Sequence, residues 1–330
     1  YKDYNALRDD PGRPLFNRAL QGAYPPGSTI KPITGLAGLE AGVVNEKRTV
    51  YGRGFFQIPG TKHRYRCWKK SGHGHISLNR AIYQSCDVYF YDLAYRMGID
   101  RFSVAMREFG FGQKTGIDLP HERSGLIPTP EWKKKYHKTS WYPGDTVNIG
   151  IGQGYWTASP LQLAHATGTV AMRGQRVMPH VLKAVRTSRD LPEKVVVPKR
   201  LPSVKATDAH WNAVIQGMVN VVHGPMGTAR SSGAGAKYRF AGKTGTAQVF
   251  GIAQNKTYNA SKLAKKLHDH SLFVAFAPLE NPRIALSVIV ENGGGGSAVA
   301  APMARQLLDT YLLPKPVQIE AEKPADDEVK

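Results

Sequence analysis

Residues 271–278 and 283–291 are two runs rich in apolar and β-branched side chains, with Pro278-Leu279-Glu280-Asn281-Pro282 between them. Proline is excluded from a central strand, so the pair reads as an antiparallel hairpin turned by that segment. A hairpin cannot bury its apolar face alone, and the surrounding sequence supplies helices to cover it. Amphipathic spacing predicts helices over 159–173 and 208–222 before it. After a break at Gly293–Gly296, a closing helix is expected over 298–312. Helices collected in the middle, then strands, then a helix, give an α+β order rather than βαβ repeats.

Earlier in the chain, residues 1–27 are polar and turn-rich and read as an irregular lead-in. A helix is expected over 28–42, an irregular Gly- and aromatic-rich loop over 50–76, a helical region over 77–97 and a helix over 99–112. Thr115-Gly116-Ile117-Asp118-Leu119-Pro120 reads as a loop, 141–154 ends in the permissive Gly150-Ile151-Gly152-Gln153-Gly154, and 177–205 is β-rich. From 313 to 330 the chain is a charged, apolar-poor tail, expected to be disordered. No apolar run approaches the ~18 residues a membrane helix needs.

The net charge is +20, from 45 Lys and Arg against 25 Asp and Glu. Such a surface suits an anionic neighbour, whether nucleic acid, anionic lipid or an acidic polymer. The cations are spread along the chain, with no accompanying nucleic-acid-binding signature, so nucleic acid is not the expected partner.

Tyr24-Pro25-Pro26-Gly27-Ser28-Thr29-Ile30-Lys31-Pro32 carries chemistry. The prolines and glycine make a stiff lead-in, and Ile30, Ile33, Leu36, Ala37 and Leu39 then begin a helical face. Ser28 falls at the helix N-terminus and Lys31 one turn on, where an amine can take the hydroxyl proton and the helix dipole favours the alkoxide. Alone, the same four residues describe an N-cap serine and a solvated lysine. Ser85-Cys86-Asp87 and Lys243-Thr244-Gly245 follow in order. A second Lys-Thr-Gly, at 114–116, lies in a Gly-rich loop. The copy at 243 is preferred because its β context ahead of the hairpin offers a strand edge to an extended peptide.

Cys67, His73 and Cys86, with His75 nearby, are metal-ligand types at a spacing that matches no standard zinc finger. Three readings stay open: unrelated residues, a Cys67–Cys86 disulfide, or a structural zinc on Cys67, His73 and Cys86, with His75, His63, Asp87 or water fourth.

Ser28-x-x-Lys31, Ser85-x-Asp87 and Lys243-Thr244-Gly245 in this order resemble the penicillin-binding and serine β-lactamase superfamily. With Thr115–Pro120, Ile151–Gly154, Pro160-Leu161-Gln162 and Gly242–Gln248 added, the chain resembles a class B penicillin-binding protein of the elongation type from rod-shaped Gram-negative bacteria, over residues 1–312. Two departures stand out. The middle motif ends in Asp87 where Asn is commoner in the superfamily, and the strand pair that usually precedes the nucleophile helix is missing.

The resemblance implies an antiparallel sheet flanked by helices with an all-helical subdomain. It implies a D,D-transpeptidase that cross-links peptidoglycan stem peptides through a Ser28 acyl-enzyme and is trapped by β-lactams. Lys31 would be the base, Ser85 a proton relay and Lys243 a source of positive potential. Asp87, Thr244, Gly245 and Thr246 would bind substrate, and the Ser28 and Thr246 amides would form an oxyanion hole. No cofactor is implied for catalysis. Implied partners are stem peptides on a lipid-linked precursor, a glycosyltransferase of the SEDS family and the rod-shape complex. The implied location is the periplasmic face of the inner membrane, with an anchoring N-terminal helix absent from this chain. The same fold also carries β-lactamases, D,D-carboxypeptidases and non-catalytic penicillin sensors. No convincing deacylating glutamate of the β-lactamase kind lies between Ser85 and Lys243.

Overall fold

The computed structural model describes residues 1–249 and 263–314; the tail expected beyond 313 lies, from 315, outside the described residues. The lead-in is not irregular throughout. It folds as α1 (Lys2–Asp9) and α2 (Arg18–Gln21). α1 shows no apolar stripe because residues 3–10 are all exposed, so burial does not drive it. Ala6 and Leu7 are good helix formers, and Asp3 and Arg8 at opposite ends complement the dipole.

The expected nucleophile helix begins as a 3₁₀ turn at Gly27–Ile30 and continues as α3 (Lys31–Glu40). The stretch 50–76, expected to be irregular, instead holds short strands: β1 (Thr49–Gly52), β2 (Phe55–Phe56), β3 (Tyr65–Arg66) and β4 (Gly74–Ser77). β1 pairs antiparallel with β4, and β2 with β3. Amides inside the Gly-rich turns close onto these strands, with Cys67 N–H donating to Gly54 O at 2.8 Å and His73 N–H to Gly52 O at 2.7 Å. Composition reads as loop here because each strand is too short to show alternation.

The helical region expected over 77–97 is two helices, α4 (Leu78–Tyr83) and α5 (Asp87–Met97). They are broken where Ser85 takes a left-handed φ of 54°. α6 (Ile99–Glu108) ends before its glycines, and α7 (Pro130–His137), α8 (Pro143–Ile149) and α9 (Pro160–Ala171) follow. α9 starts in a reciprocal cap: Ser159 Oγ accepts from Gln162 N–H at 3.2 Å and Gln162 Oε1 from Ser159 N–H at 2.9 Å. The β-rich stretch after it contains only two-residue strands, β5 (Arg176–Val177), β6 (Ala184–Val185), β7 (Lys194–Val195) and β8 (Arg200–Leu201). Next come α10 (Asp208–His223), capped by Thr207 with Asp208 in its first turn, and α11 (Arg230–Gly233).

β9 (Ala241–Ala247), β10 (His270–Ala277) and β11 (Ile284–Val290) form the main sheet in the order β11-β10-β9, antiparallel throughout. The expected hairpin is β10–β11. Every residue of β10 from Ser271 to Ala277 is buried, so both sheet faces are covered; α9, α10 and α12 (Ala300–Leu312) pack on the sheet. α3, α4, α5, α6 and α8 pack together as the helical part, and α10 joins the two through α3 and α4. One continuous apolar core runs from Ile33 and Leu36 to Phe273 and Leu308. β9 is left as the sheet edge nearest the Ser28 turn, which packs directly on it.

Candidate active site

Ser28 lies half-buried in its 3₁₀ turn, and that turn is wedged between two backbones. Gly27 N–H donates to Gly152 O at 2.9 Å. A Cβ on Gly152 would come within 2.2 Å of Gly27 O, so the Ile151–Gly154 loop can touch the turn only through glycine. From the same loop, Gln153 Nε2 donates to Thr246 O at 3.0 Å. On the other side, a Cβ on Gly245 would meet Thr29 Cγ2 at 2.7 Å. These close approaches lock β9 against the serine.

Lys31 is fully buried, and its Nζ donates to Asp87 Oδ1 at 2.6 Å, Ser85 O at 3.0 Å and Ser85 Oγ at 3.3 Å. It also lies 5.5 Å from the Phe90 ring centroid. Lys243, equally buried, donates to Ser85 Oγ at 2.9 Å and Thr244 O at 2.8 Å. One serine hydroxyl therefore sits between two lysines contributed from residues 31 and 243. Two amines and one carboxylate share this buried space. Burial first, and then the neighbouring Lys31 charge, hold Lys243 well below the ordinary lysine range, while Asp87 partly opposes them.

Asp87 spends both oxygens on protein groups, Oδ1 on Lys31 and Oδ2 on the Trp68 N–H at 3.1 Å. Trp68 was not signalled by the sequence. Its indole N–H points to Gln84 O and Ser85 O, each at 3.1 Å, and braces the left-handed Ser85 turn. Thr244 Oγ1 and Thr228 Oγ1 share a hydrogen bond at 2.8 Å, and Thr246 follows along the strand.

The structure thus gathers Ser28, Lys31, Ser85, Asp87, Lys243, Thr244, Gly245 and Thr246 around one strand edge. The earlier Lys114-Thr115-Gly116 has a different job. Glu122 accepts from Thr115 N–H at 2.7 Å, Thr115 Oγ1 at 2.6 Å and Gly116 N–H at 3.1 Å, tying a buried loop.

Cys67, His73 and Cys86 come together with their ligand atoms within 4.8 Å of one another, all buried. Both cysteines are free thiols, with no disulfide between them. Their mutual hydrogen bond pushes the Cys67 thiol up and the Cys86 thiol down. His73 Nε2 is buried without a hydrogen-bond partner. His73 Nδ1 lies 3.7 Å from Cys67 Sγ, so the donor set that faces inward is two sulfurs and this imidazole nitrogen, which fits zinc. His75 is exposed on β4 and stacks on Tyr51 instead.

The chain matches the family model for the penicillin binding protein transpeptidase domain over residues 1–309. It belongs to that family. Among its relatives, the peptidoglycan D,D-transpeptidase MrdA of Haemophilus influenzae is 47% identical over 320 residues, covering 97% of this chain and 49% of that protein. The crystal structure of Pseudomonas aeruginosa PBP2 in complex with WCK 5153 superposes with a TM-score of 0.83 at 46% identity, covering 98% of this chain and 69% of that one. The complex of Helicobacter pylori PBP2 with MreC gives a TM-score of 0.77 at 34% identity, covering 94% and 54%. The chain spans about half the length of the curated relatives it matches. No described helix is long and apolar enough to cross a membrane.

Proposed function

We propose that residues 1–312 are the transpeptidase unit of a peptidoglycan D,D-transpeptidase, working through a Ser28 acyl-enzyme. The observation that carries this is Ser85 Oγ within 3.3 Å of Lys31 Nζ and 2.9 Å of Lys243 Nζ, beside the Ser28 turn. An extended stem peptide lies along the β9 edge, its terminal carboxylate on Thr244 and Thr246 near Lys243. Ser28 Oγ attacks the penultimate D-Ala carbonyl while Lys31 receives its proton. Lys31 Nζ, held by Asp87 Oδ1 at 2.6 Å and 3.3 Å from Ser85 Oγ, is positioned for that transfer and for passing the proton on to Ser85. The backbone N–H groups of Ser28 and Thr246 hold the oxyanion, each worth roughly 3 kcal/mol. The C–N bond breaks and D-Ala leaves with a proton passed through Ser85. The amine of a second stem peptide then attacks the ester, forms the cross-link and returns Ser28 to its hydroxyl form. β-Lactams, as mimics of the D-Ala-D-Ala amide, would be attacked by the same serine.

Support for the elongation setting is the 47% identity to MrdA and the likeness to an H. pylori PBP2 solved with MreC. On that basis the whole protein works at the periplasmic face of the inner membrane, on lipid-linked precursor, with a SEDS-family glycosyltransferase and the rod-shape complex. The test is incubation with a pentapeptide ending in D-Ala-D-Ala plus an amine acceptor, read by mass spectrometry. An aminolysis product supports the reading; hydrolysis alone would make the chain a carboxypeptidase.

Cys67, His73 and Cys86 would hold a structural zinc, whose role there is to clamp the β1–β4 segment to the start of α5. Metal content of untagged protein, with thiol titration, tests this. One zinc per chain and thiols shielded until chelation are expected; two reactive thiols without metal would overturn it.

A further inference from the structure

Residues 176–201 form a two-stranded ribbon that the transpeptidase reading does not use. β5 pairs with β8 near its base and β6 with β7 further out. Its lower half is held in place. His165 Nε2 bonds to Val177 O at 2.8 Å, and Asp118 accepts from Val181 N–H at 2.8 Å and Leu182 N–H at 3.0 Å. Beyond that anchor, every residue from 185 to 195 is exposed.

The register sorts the side chains. Ala184 opposes Val195 and Val185 opposes Lys194; Val196 N–H donates to Lys183 O at 2.9 Å, and Arg186 pairs with Glu193 at 3.2 Å. Opposed residues share a face and neighbours along a strand alternate. One face therefore carries Leu182, Ala184, Val195 and Val197; the other carries Lys183, Val185, Lys194 and Val196. On the first face Leu182, Val195 and Val197 are 48%, 63% and 83% exposed, an uncovered apolar strip. Between 181 and 200 there are six Lys and Arg against two acids. As the ribbon has only two strands, each has an outer edge that no described strand pairs.

An isolated two-stranded ribbon is marginal in water, and an exposed valine-rich edge is a pairing template. We propose that this ribbon is a docking surface for an extended segment of a partner protein whose residues alternate apolar and acidic. Added as a third strand on the outer edge of the 194–197 segment, such a segment lays its apolar residues beside Val195 and Val197 and a carboxylate beside Lys194, with Lys183 one strand further in on the same face. Like charge disfavours a second copy of this chain as the occupant. A lipid surface is disfavoured because residues 176–205 contain no Phe, Trp or Tyr to sit at a membrane interface.

The test uses fluorescein-labelled octapeptides of alternating Val-Glu and alternating Val-Lys, titrated with the 330-residue chain and read by anisotropy. The Val-Glu peptide is expected to bind saturably and to slow amide exchange along one ribbon strand. Lys183→Glu/Lys194→Glu is expected to weaken it about tenfold and to favour the Val-Lys peptide. β-Lactam acylation of that variant stays at wild-type rate, showing that it is folded. No saturable binding, or equal affinity for both peptides, overturns the proposal. So does capture of phosphatidylglycerol vesicles that Leu182→Ser/Val195→Ser/Val197→Ser abolishes, which would make the ribbon a membrane contact.

Discussion

Gly245→Ala puts one methyl group where β9 meets the nucleophile turn. That methyl would lie 2.7 Å from Thr29 Cγ2, 3.1 Å from Leu272 Cβ and 3.3 Å from the Thr29 nitrogen. Ordinary carbon contacts need about 3.5–4.0 Å, so the first pair must part by roughly 1 Å. Thr29 cannot rotate away cheaply, because its hydroxyl is bound to Pro26 O at 2.6 Å and the side chain is buried. Leu272 is itself fully buried in the central strand. The strain therefore falls on the spacing between β9 and the turn that presents Ser28. Overpacking of this kind costs about 1–3 kcal/mol. In a chain of this size that lowers Tm by roughly 2–10 °C. A displacement of about 1 Å between nucleophile and oxyanion donors should cut acylation on the order of 100-fold. The assay is the second-order rate constant for labelling by a fluorescent penicillin, with Tm measured alongside. Gly295→Ala, whose Cβ meets nothing within 4 Å, is the control and should acylate normally. Gly245→Ala acylating within twofold of wild type would refute the argument that this contact sets the site's geometry, whatever its Tm.

Trp68→Phe keeps a ring but loses the indole N–H bonds to Gln84 O and Ser85 O. Loss of about 1 kcal/mol of turn bracing should slow penicillin labelling roughly fivefold while the labelled fraction at completion is unchanged; an unaltered rate would remove Trp68 from the account. Lys243 titrates below its ordinary value of 10.5 in the folded chain, so between the two values the unfolded state holds the extra proton and stability rises with pH. Lys243→Met removes that contribution, and the Tm of wild type should rise relative to Lys243→Met as pH climbs toward 10. A Tm difference that does not vary with pH contradicts the burial argument.

Much of this site was legible because its parts are rigid and local. Ser28 and Lys31 are one helical turn apart, and the prolines before them fix the turn whatever the tertiary context. The hairpin announced itself through Pro278 and Pro282. Trp68 was invisible for the opposite reason: it reaches Ser85 through a fold of two-residue strands, and nothing local marks it. Asp87 was expected to face substrate, but sequence order cannot show that its oxygens are already taken by Lys31 and Trp68. α7 did carry a readable signal, with Thr129 capping Trp132 N–H, Pro130 at the first position and lysines in the last turn. Its basic run is Lys133-Lys134-Lys135. One member, Lys133, is in fact buried and paired with Asp145 at 2.6 Å.

The most direct test of the central claim is intact mass after incubation with a β-lactam, for wild type and Ser28→Ala. The account predicts a stable adduct of one drug mass on wild type and none on Ser28→Ala. Rapid drug loss without an adduct would make the chain a β-lactamase, and an adduct that survives in Ser28→Ala would place the nucleophile elsewhere.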